Sequence, residues 1–295
     1  MRRFLLGLLL LALPVTVPLE AWNATGHRII AAIAYDHLTP QAKARVDELL
    51  KQHPDLATMP SREAFLAASV WPDAIRNDPR FYDDTAANPK PTPLLAGFPS
   101  MARHTNWHYI DLPFSPDGTT IEQPKKPNAL VELRRILKTP ELTAYDLPWL
   151  IHLTGDVHQP LHATSRFTRQ LPHGDQGGNL VFVKPGRNLH SFWDGLAGTE
   201  VSDESVNRAA TVANAELVRA RGANPRLSRD PKRWIEESFA LAQQEVYTFG
   251  PASGSRESPI VLPADYETKA HQIARAQIAR AGLRLAAVLN VKLGR

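Results

Sequence analysis

The chain has 295 residues, a formal net charge of +4 and no cysteine. That length suits one large domain or two small ones and is ample for a sizeable core. The missing cysteines exclude disulfides, thiolate metal sites and cysteine nucleophiles, and the modest charge is compatible with a polyanionic substrate without arguing for one.

Arg2 and Arg3 precede an apolar run from Phe4 to Leu13, followed by Pro14 and then Glu20-Ala21. A positive start, a short apolar stretch and a small residue predict a signal peptide over 1–21, cleaved ahead of Trp22. The run is shorter than the ~20 apolar residues that span a bilayer. The mature protein, 22–295, is therefore expected to carry no membrane span and to be secreted or periplasmic. Cleavage would leave Trp22 with an α-amine, whose ordinary pKa of about 8 lets it ligate metal when deprotonated. With its own carbonyl it can form a chelate.

Beyond Trp22, helix signals dominate. Ile29, Ile30, Ile33 and Ala34 sit at helical spacing between Gly26 and Leu38. Thr39-Pro40 reads as cap and first turn of a second helix ending near Lys51. A short helix is expected over Arg62 to Ala68. From Asn77 to Asn106 the chain is rich in Pro, Asp and Asn, which predicts a long irregular loop of the kind that often carries function. Helix returns over Asn128 to Leu137 and over Tyr145 to Val157, where Pro160 bends or stops it. Gly177-Gly178 introduces the one clear strand, Asn179 to Lys184, with Pro185-Gly186 as the turn of a short hairpin. His190 to Leu196, Asp203 to Ala220, a helix opened by Asp230-Pro231, and a last one from about Ala264 complete the chain. The expected fold is mainly α: one helical domain with one short β-hairpin.

Two steps carry the chemistry: His152-x-x-x-Asp156 and His190-x-x-x-Asp194. A spacing of four puts both side chains on one helix face, where one cation can reach both. His162 follows just beyond the first pair. Imidazoles and carboxylates together suit zinc. Asp73 and Arg76 share a face if Trp71-Pro72-Asp73-Ala-Ile-Arg76 is helical, and Trp107-His108-Tyr109-Ile-Asp111 follows the long loop. Singly, each has a plain alternative: Asp73 as a helix cap, His108 as a core histidine, Arg76 as a surface ion-pair partner, His190 and Asp194 as a solvated pair.

Taken in order, the Trp22 to His27 segment, Trp71-Pro-Asp73-x-x-Arg76, Trp107-His108-Tyr-x-Asp111, His152-x-x-x-Asp156 with His162, Gly177-Gly-Asn179 and His190-x-x-x-Asp194 resemble one family. It is the zinc-dependent single-strand-specific nuclease family of fungi, plants and bacteria, which includes 3′-nucleotidases. The resemblance implies a helical fold shared with zinc-dependent phospholipase C and three zinc ions. It implies Asp73, His108, His152 and Asp156 on one zinc, and the Trp22 amine and carbonyl, His27 and Asp156 on a second, with Asp156 bridging. His162, His190 and Asp194 would hold the third. Two zinc ions ~3.5–4 Å apart lower the pKa of a water and clamp a phosphate. Asp73 would orient or deprotonate that water, and Arg76 would supply a planar cation to the transition-state oxygens. Tyr109 and Asp111 would contact a base, although a core aromatic and a turn aspartate are equal readings. Asn179 is carried over as a substrate contact. The implied substrates are single-stranded DNA and RNA and 3′-nucleotides, the implied products 5′-phosphorylated, and no stable protein partner is implied. Two rivals remain. A phospholipase C typically ends its ligand set with Glu where this chain has Asp194. A noncatalytic periplasmic zinc-binding protein has no use for Arg76. Asp175, an acidic residue of the Gly-rich loop, is expected to tolerate Asp175→Asn.

Overall fold

The computed structural model describes residues 22–221 and 227–294; the expected signal peptide lies outside them. Ten α-helices are present among the described residues: α1 Ala24–Asp36, α2 Pro40–Leu50, α3 Ser61–Ala68, α4 Trp71–Ala74, α5 Ala129–Lys138, α6 Asp146–Asp156, α7 Leu189–Asp194, α8 Asp203–Arg221, α9 Pro231–Leu241 and α10 Tyr266–Leu293. The fold is mainly α, as the periodicity predicts. None of these helices is long and apolar enough to cross a membrane.

Local chemistry sets the helix starts. Thr39 accepts from the Ala42 N–H ahead of Pro40, and Asn128 accepts from Val131 N–H. Asp230 accepts from Lys232 N–H ahead of Pro231. Each side chain satisfies a donor that the first helical turn leaves without a partner. α6 is buried along its whole length, so it cannot be an ordinary amphipathic surface helix. It is the central strut: α3, α5, α10 and α1 pack around it. The long α10 lies along α1 and α8. Trp22, Trp149, Trp193 and Trp234 are all completely buried in the one continuous core.

The segment from Asp78 to His104 contains no helix or strand, as expected, but it is pinned. Arg80 pairs with Asp55 at 2.8 Å and Asp78 at 2.6 Å, and Tyr82 bridges Ala102. The expected hairpin exists in a shorter form, with β3 Phe182–Val183 paired antiparallel to β4 Arg187–Asn188. The structure adds a feature that the sequence reading lacks: β1 Leu112–Phe114 pairs in parallel with β2 Thr164–Arg166. It also corrects the expectation for Asp175. That carboxylate is completely buried and accepts from Arg166 N–H at 2.9 Å and the Tyr247 hydroxyl at 2.7 Å, so its replacement is expected to cost stability by leaving a buried donor without its acceptor.

Candidate metal centre

Five helical pieces converge on one buried polar cluster. α6 supplies His152 and Asp156 one turn apart, and α1 supplies His27. α4 supplies Asp73, and the 3-10 turn that continues it, Ile75–Asn77, supplies Arg76. The 3-10 turn Thr105–His108 ends on His108. Close packing of α1 on α6 depends on Gly155. A Cβ there would come 2.8 Å from His27 Nδ1, inside any allowed contact.

Asp156 is the hub. Its Oδ1 lies 3.2 Å from His27 Nε2, and its Oδ2 lies 3.1 Å from His108 Nδ1 and 3.2 Å from His152 Nε2. Asp73 Oδ1 lies 3.7 Å from both His108 Nδ1 and His152 Nε2. The His27 and His152 rings stack with centroids 4.0 Å apart. His27, His108, His152 and Asp156 are all buried, and Asp73 is half-buried.

A second cluster sits beside the first. The 3-10 turn Pro160–Ala163 carries His162, and α7 carries His190 and Asp194. His190 Nε2 lies 3.6 Å from Asp194 Oδ2. Gln159, which the sequence reading passed over, donates to Asp194 Oδ1 at 2.8 Å.

Ring tautomers decide what these clusters can hold. His162 Nδ1 is 2.7 Å from His108 O, and His190 Nδ1 is 2.7 Å from Gly177 O. A carbonyl only accepts, so both Nδ1 atoms carry protons. In the neutral rings both Nε2 atoms then turn lone pairs towards each other at 3.0 Å, with Asp194 Oδ2 3.6 Å from that of His190. A proton or a cation between them relieves the repulsion of the two lone pairs. Burial holds His162 below its ordinary pKa, which disfavours the proton. His152 follows the same rule, since its Nδ1 donates to Ser69 O at 2.7 Å. Donation of Nδ1–H to a backbone carbonyl is the usual way a ligating imidazole is oriented.

The first cluster also concentrates negative charge. Burial pushes the Asp156 carboxyl up, but His152, His108 and His27 together outweigh it and hold it well below the usual carboxylate range. Burial lowers His152, yet Asp156 and Asp73 overcome this and push it up to about 9. Burial, then Arg76, pulls His108 down to about 3. His27, Asp73, His108 and Asp156 each retain a buried side-chain atom without a hydrogen bond. Three His/Asp groups have ligand atoms within 4.8 Å of one another: His27, His152 and Asp156; Asp73, His108 and His152; and His162, His190 and Asp194. Buried nitrogen and oxygen donors gathered in this way fit a borderline divalent ion such as zinc.

Arg76 reaches Asp73 Oδ1 through Nη2 at 3.3 Å, and its Nε has no hydrogen bond. A cavity of about 500 Å³ opens beside His190, lined by Tyr109, Asp111, Asn128, Ser165 and Phe167 among others. The Tyr109 hydroxyl donates to Asn106 at 2.9 Å. Burial, with Asp175 behind it, pushes the Asp111 carboxyl up to about 6. Asn179 is not among the residues lining the cavity. Its Nδ2 donates to Gln176 O at 2.7 Å, and its Oδ1 accepts from Asn188 at 3.4 Å. Trp22 is buried at the start of α1, and the next N–H, that of Asn23, donates to Asp194 O at 3.3 Å. His158 turns away from both clusters, from its Nδ1 on Thr154 O to its Nε2 on Arg284.

The chain matches the S1/P1 nuclease family over residues 22–293. It is also similar to Endonuclease 4 of Arabidopsis thaliana, at 28% identity over 165 residues. That alignment covers 49% of this chain and 49% of the plant protein, so the chain spans about half the length of that curated relative.

Proposed function

This chain belongs to the S1/P1 nuclease family, and from that premise we propose that it is a zinc-dependent phosphodiesterase. It hydrolyses single-stranded DNA and RNA to 5′-phosphorylated products and acts on 3′-nucleotides. It binds three zinc ions. Asp73, His108, His152 and Asp156 hold one, and the Trp22 amine and carbonyl with His27 and Asp156 hold a second. His162, His190 and Asp194 hold the third. The observation that carries this reading is the gathering of three His/Asp groups whose ligand atoms lie within 4.8 Å of one another.

Bound there, zinc supplies Lewis acidity to phosphoryl oxygens and lowers the pKa of water. The side chains do the rest. Burial raises Asp73, but His152, Arg76 and His108 hold it ionised below its ordinary value, so it accepts a hydrogen bond from the attacking water and orients it. Arg76 is mostly buried, with a side chain 10% exposed. Its planar fork matches two phosphoryl oxygens, and withdrawal from water strengthens that contact. Tyr109 offers a ring face to one unstacked base and Asp111 an edge acceptor, which favours single strands over duplex. The family match begins at Trp22, the residue expected after signal cleavage, and this supports export of the protein to the periplasm or beyond.

The test is a substrate panel with metal analysis: single-stranded DNA, RNA, 3′-AMP and phosphatidylcholine, alongside zinc content. Turnover of the three nucleotide substrates with bound zinc is expected. Turnover confined to phosphatidylcholine would make the protein a phospholipase C instead. Zinc binding without any turnover would make it a binding protein.

A further inference from the structure

We infer that Asp175 is a positioning residue for the pocket of His162, His190 and Asp194, acting through the loop that carries Gly177. The inference rests on the reading of that pocket as a metal site.

Two separate segments must meet for His162 and His190 to face each other. His162 sits in the turn that runs directly into β2, whose last residue is Arg166. His190 is oriented by Gly177, whose carbonyl accepts its Nδ1–H at 2.7 Å. Asp175 joins the two. Its Oδ1 accepts the Arg166 N–H at 2.9 Å, and its Oδ2 lies 3.7 Å from Arg166 Nε. The Tyr247 hydroxyl donates to Oδ2 at 2.7 Å from a third segment. Arg166 is completely buried as well. It donates to Gly250 O at 2.6 Å and Ala252 O at 2.9 Å and lies over the Tyr247 ring.

The loop needs such an anchor. Gly174, Gln176, Gly177 and Gly178 have φ of 86°, 55°, 61° and 82°. Glycine takes such angles freely, but Gln176 does not, and left-handed backbone at a residue other than glycine persists only when its surroundings over-determine it. Gly177 also presses on the His162 turn: a Cβ there would come 2.4 Å from Leu161 O. A shift of the loop therefore moves the Gly177 carbonyl, and with it the His190 ring. A carboxylate suits the anchor because it offers two acceptors to two donors and balances the buried Arg166. An amide loses one acceptor and leaves that guanidinium without its counter-charge.

The experiment compares Asp175→Asn and Tyr247→Phe with the parent protein. It uses zinc competition against a chelator and the imidazole ¹⁵N spectrum, with the His190 Nδ1–H signal assigned by its loss in His190→Gln. Asp175→Asn is expected to retain two zinc ions where the parent retains three, with the third bound at least tenfold more weakly, and its His190 signal should shift. Tyr247→Phe should show the same selective loss to a smaller degree, and it carries the test if Asp175→Asn does not fold. A purely structural residue would weaken all three ions alike, and that result overturns the inference. If the parent binds no zinc, the metal reading fails and the His190 signal decides alone: an unmoved signal in both variants overturns the positioning role.

Discussion

Arg76 Nη2 lies 3.3 Å from Asp73 Oδ1, across the join between α4 and the 3-10 turn that follows it. The contact aims the guanidinium at the carboxylate that faces His108 and His152, and a guanidinium, always protonated, has no lone pair to give a metal. Arg76 should therefore act on charge developing in the transition state and not on metal retention. Arg76→Ala is expected to keep its zinc and lose rate by on the order of 10²–10³-fold. Arg76→Lys should recover only part, since an ammonium lacks the planar fork. Zinc analysis with single-stranded DNA turnover checks both. Unchanged turnover in Arg76→Ala removes this residue from the mechanism.

The N-terminus gives a second test. Trp22 is fully buried and adjoins α1, which carries His27. If its amine is a ligand, a protein that begins at Trp22 should bind one more zinc than the same protein with Met placed ahead of Trp22. An amide nitrogen does not replace an amine at the metal. Equal zinc counts and equal activity in the two forms would rule the amine out.

Much of this arrangement is legible in the chain itself, and the exceptions share a cause. Caps such as Thr39-Pro40 and Asp230-Pro231 are local signals, and they mark real helix starts. The His152–Asp156 and His190–Asp194 steps are also local, and each lies on a helix. β1 escaped notice because three residues including Pro113 are too short to show a period of two. Asp175 was misjudged because glycines around it signal a surface loop, whereas its burial depends on Tyr247, distant in sequence. Gln159 is legible only once α7 brings Asp194 to it. What sequence hides here is polar pairing between remote segments.

His53 provides a prediction independent of metal. It is completely buried among Trp71 and Phe98, with its Nδ1 accepting from the Asp55 N–H at 3.2 Å. Burial lowers it to about 4 from an ordinary 6.5, and the charge of Asp55 offsets this only in part. The unfolded chain therefore binds a proton that the folded one refuses between those values. The stabilisation from neutral His53 is complete above pH 6.5 and is lost as pH falls towards 4. Its size is on the order of 1–3 kcal/mol. His53→Asn should be less stable than the parent at pH 7, and the gap in Tm should narrow by pH 4.5. A gap that stays constant across that range contradicts the assignment.

The decisive variant is Asp156→Asn. Asp156 Oδ1 faces His27, and its Oδ2 faces both His108 and His152, so one carboxylate touches imidazoles from two of the potential ligand groups. An amide has nearly the same volume but no charge, and its nitrogen is a poor ligand. Two cations would then sit close together with one negative charge fewer between them. The expected outcome is loss of at least one zinc, a lower Tm through lost metal linkage, and near-complete loss of phosphodiesterase activity. Asp175 is unsuitable as the control because it is buried and hydrogen-bonded. Asp265 serves instead, since its carboxylate is exposed and paired with the exposed Lys269. Asp265→Asn should leave zinc content and turnover unchanged. If Asp156→Asn matches that control in both, the bridging role of Asp156 is wrong, and two independent metal pockets would have to replace the shared one.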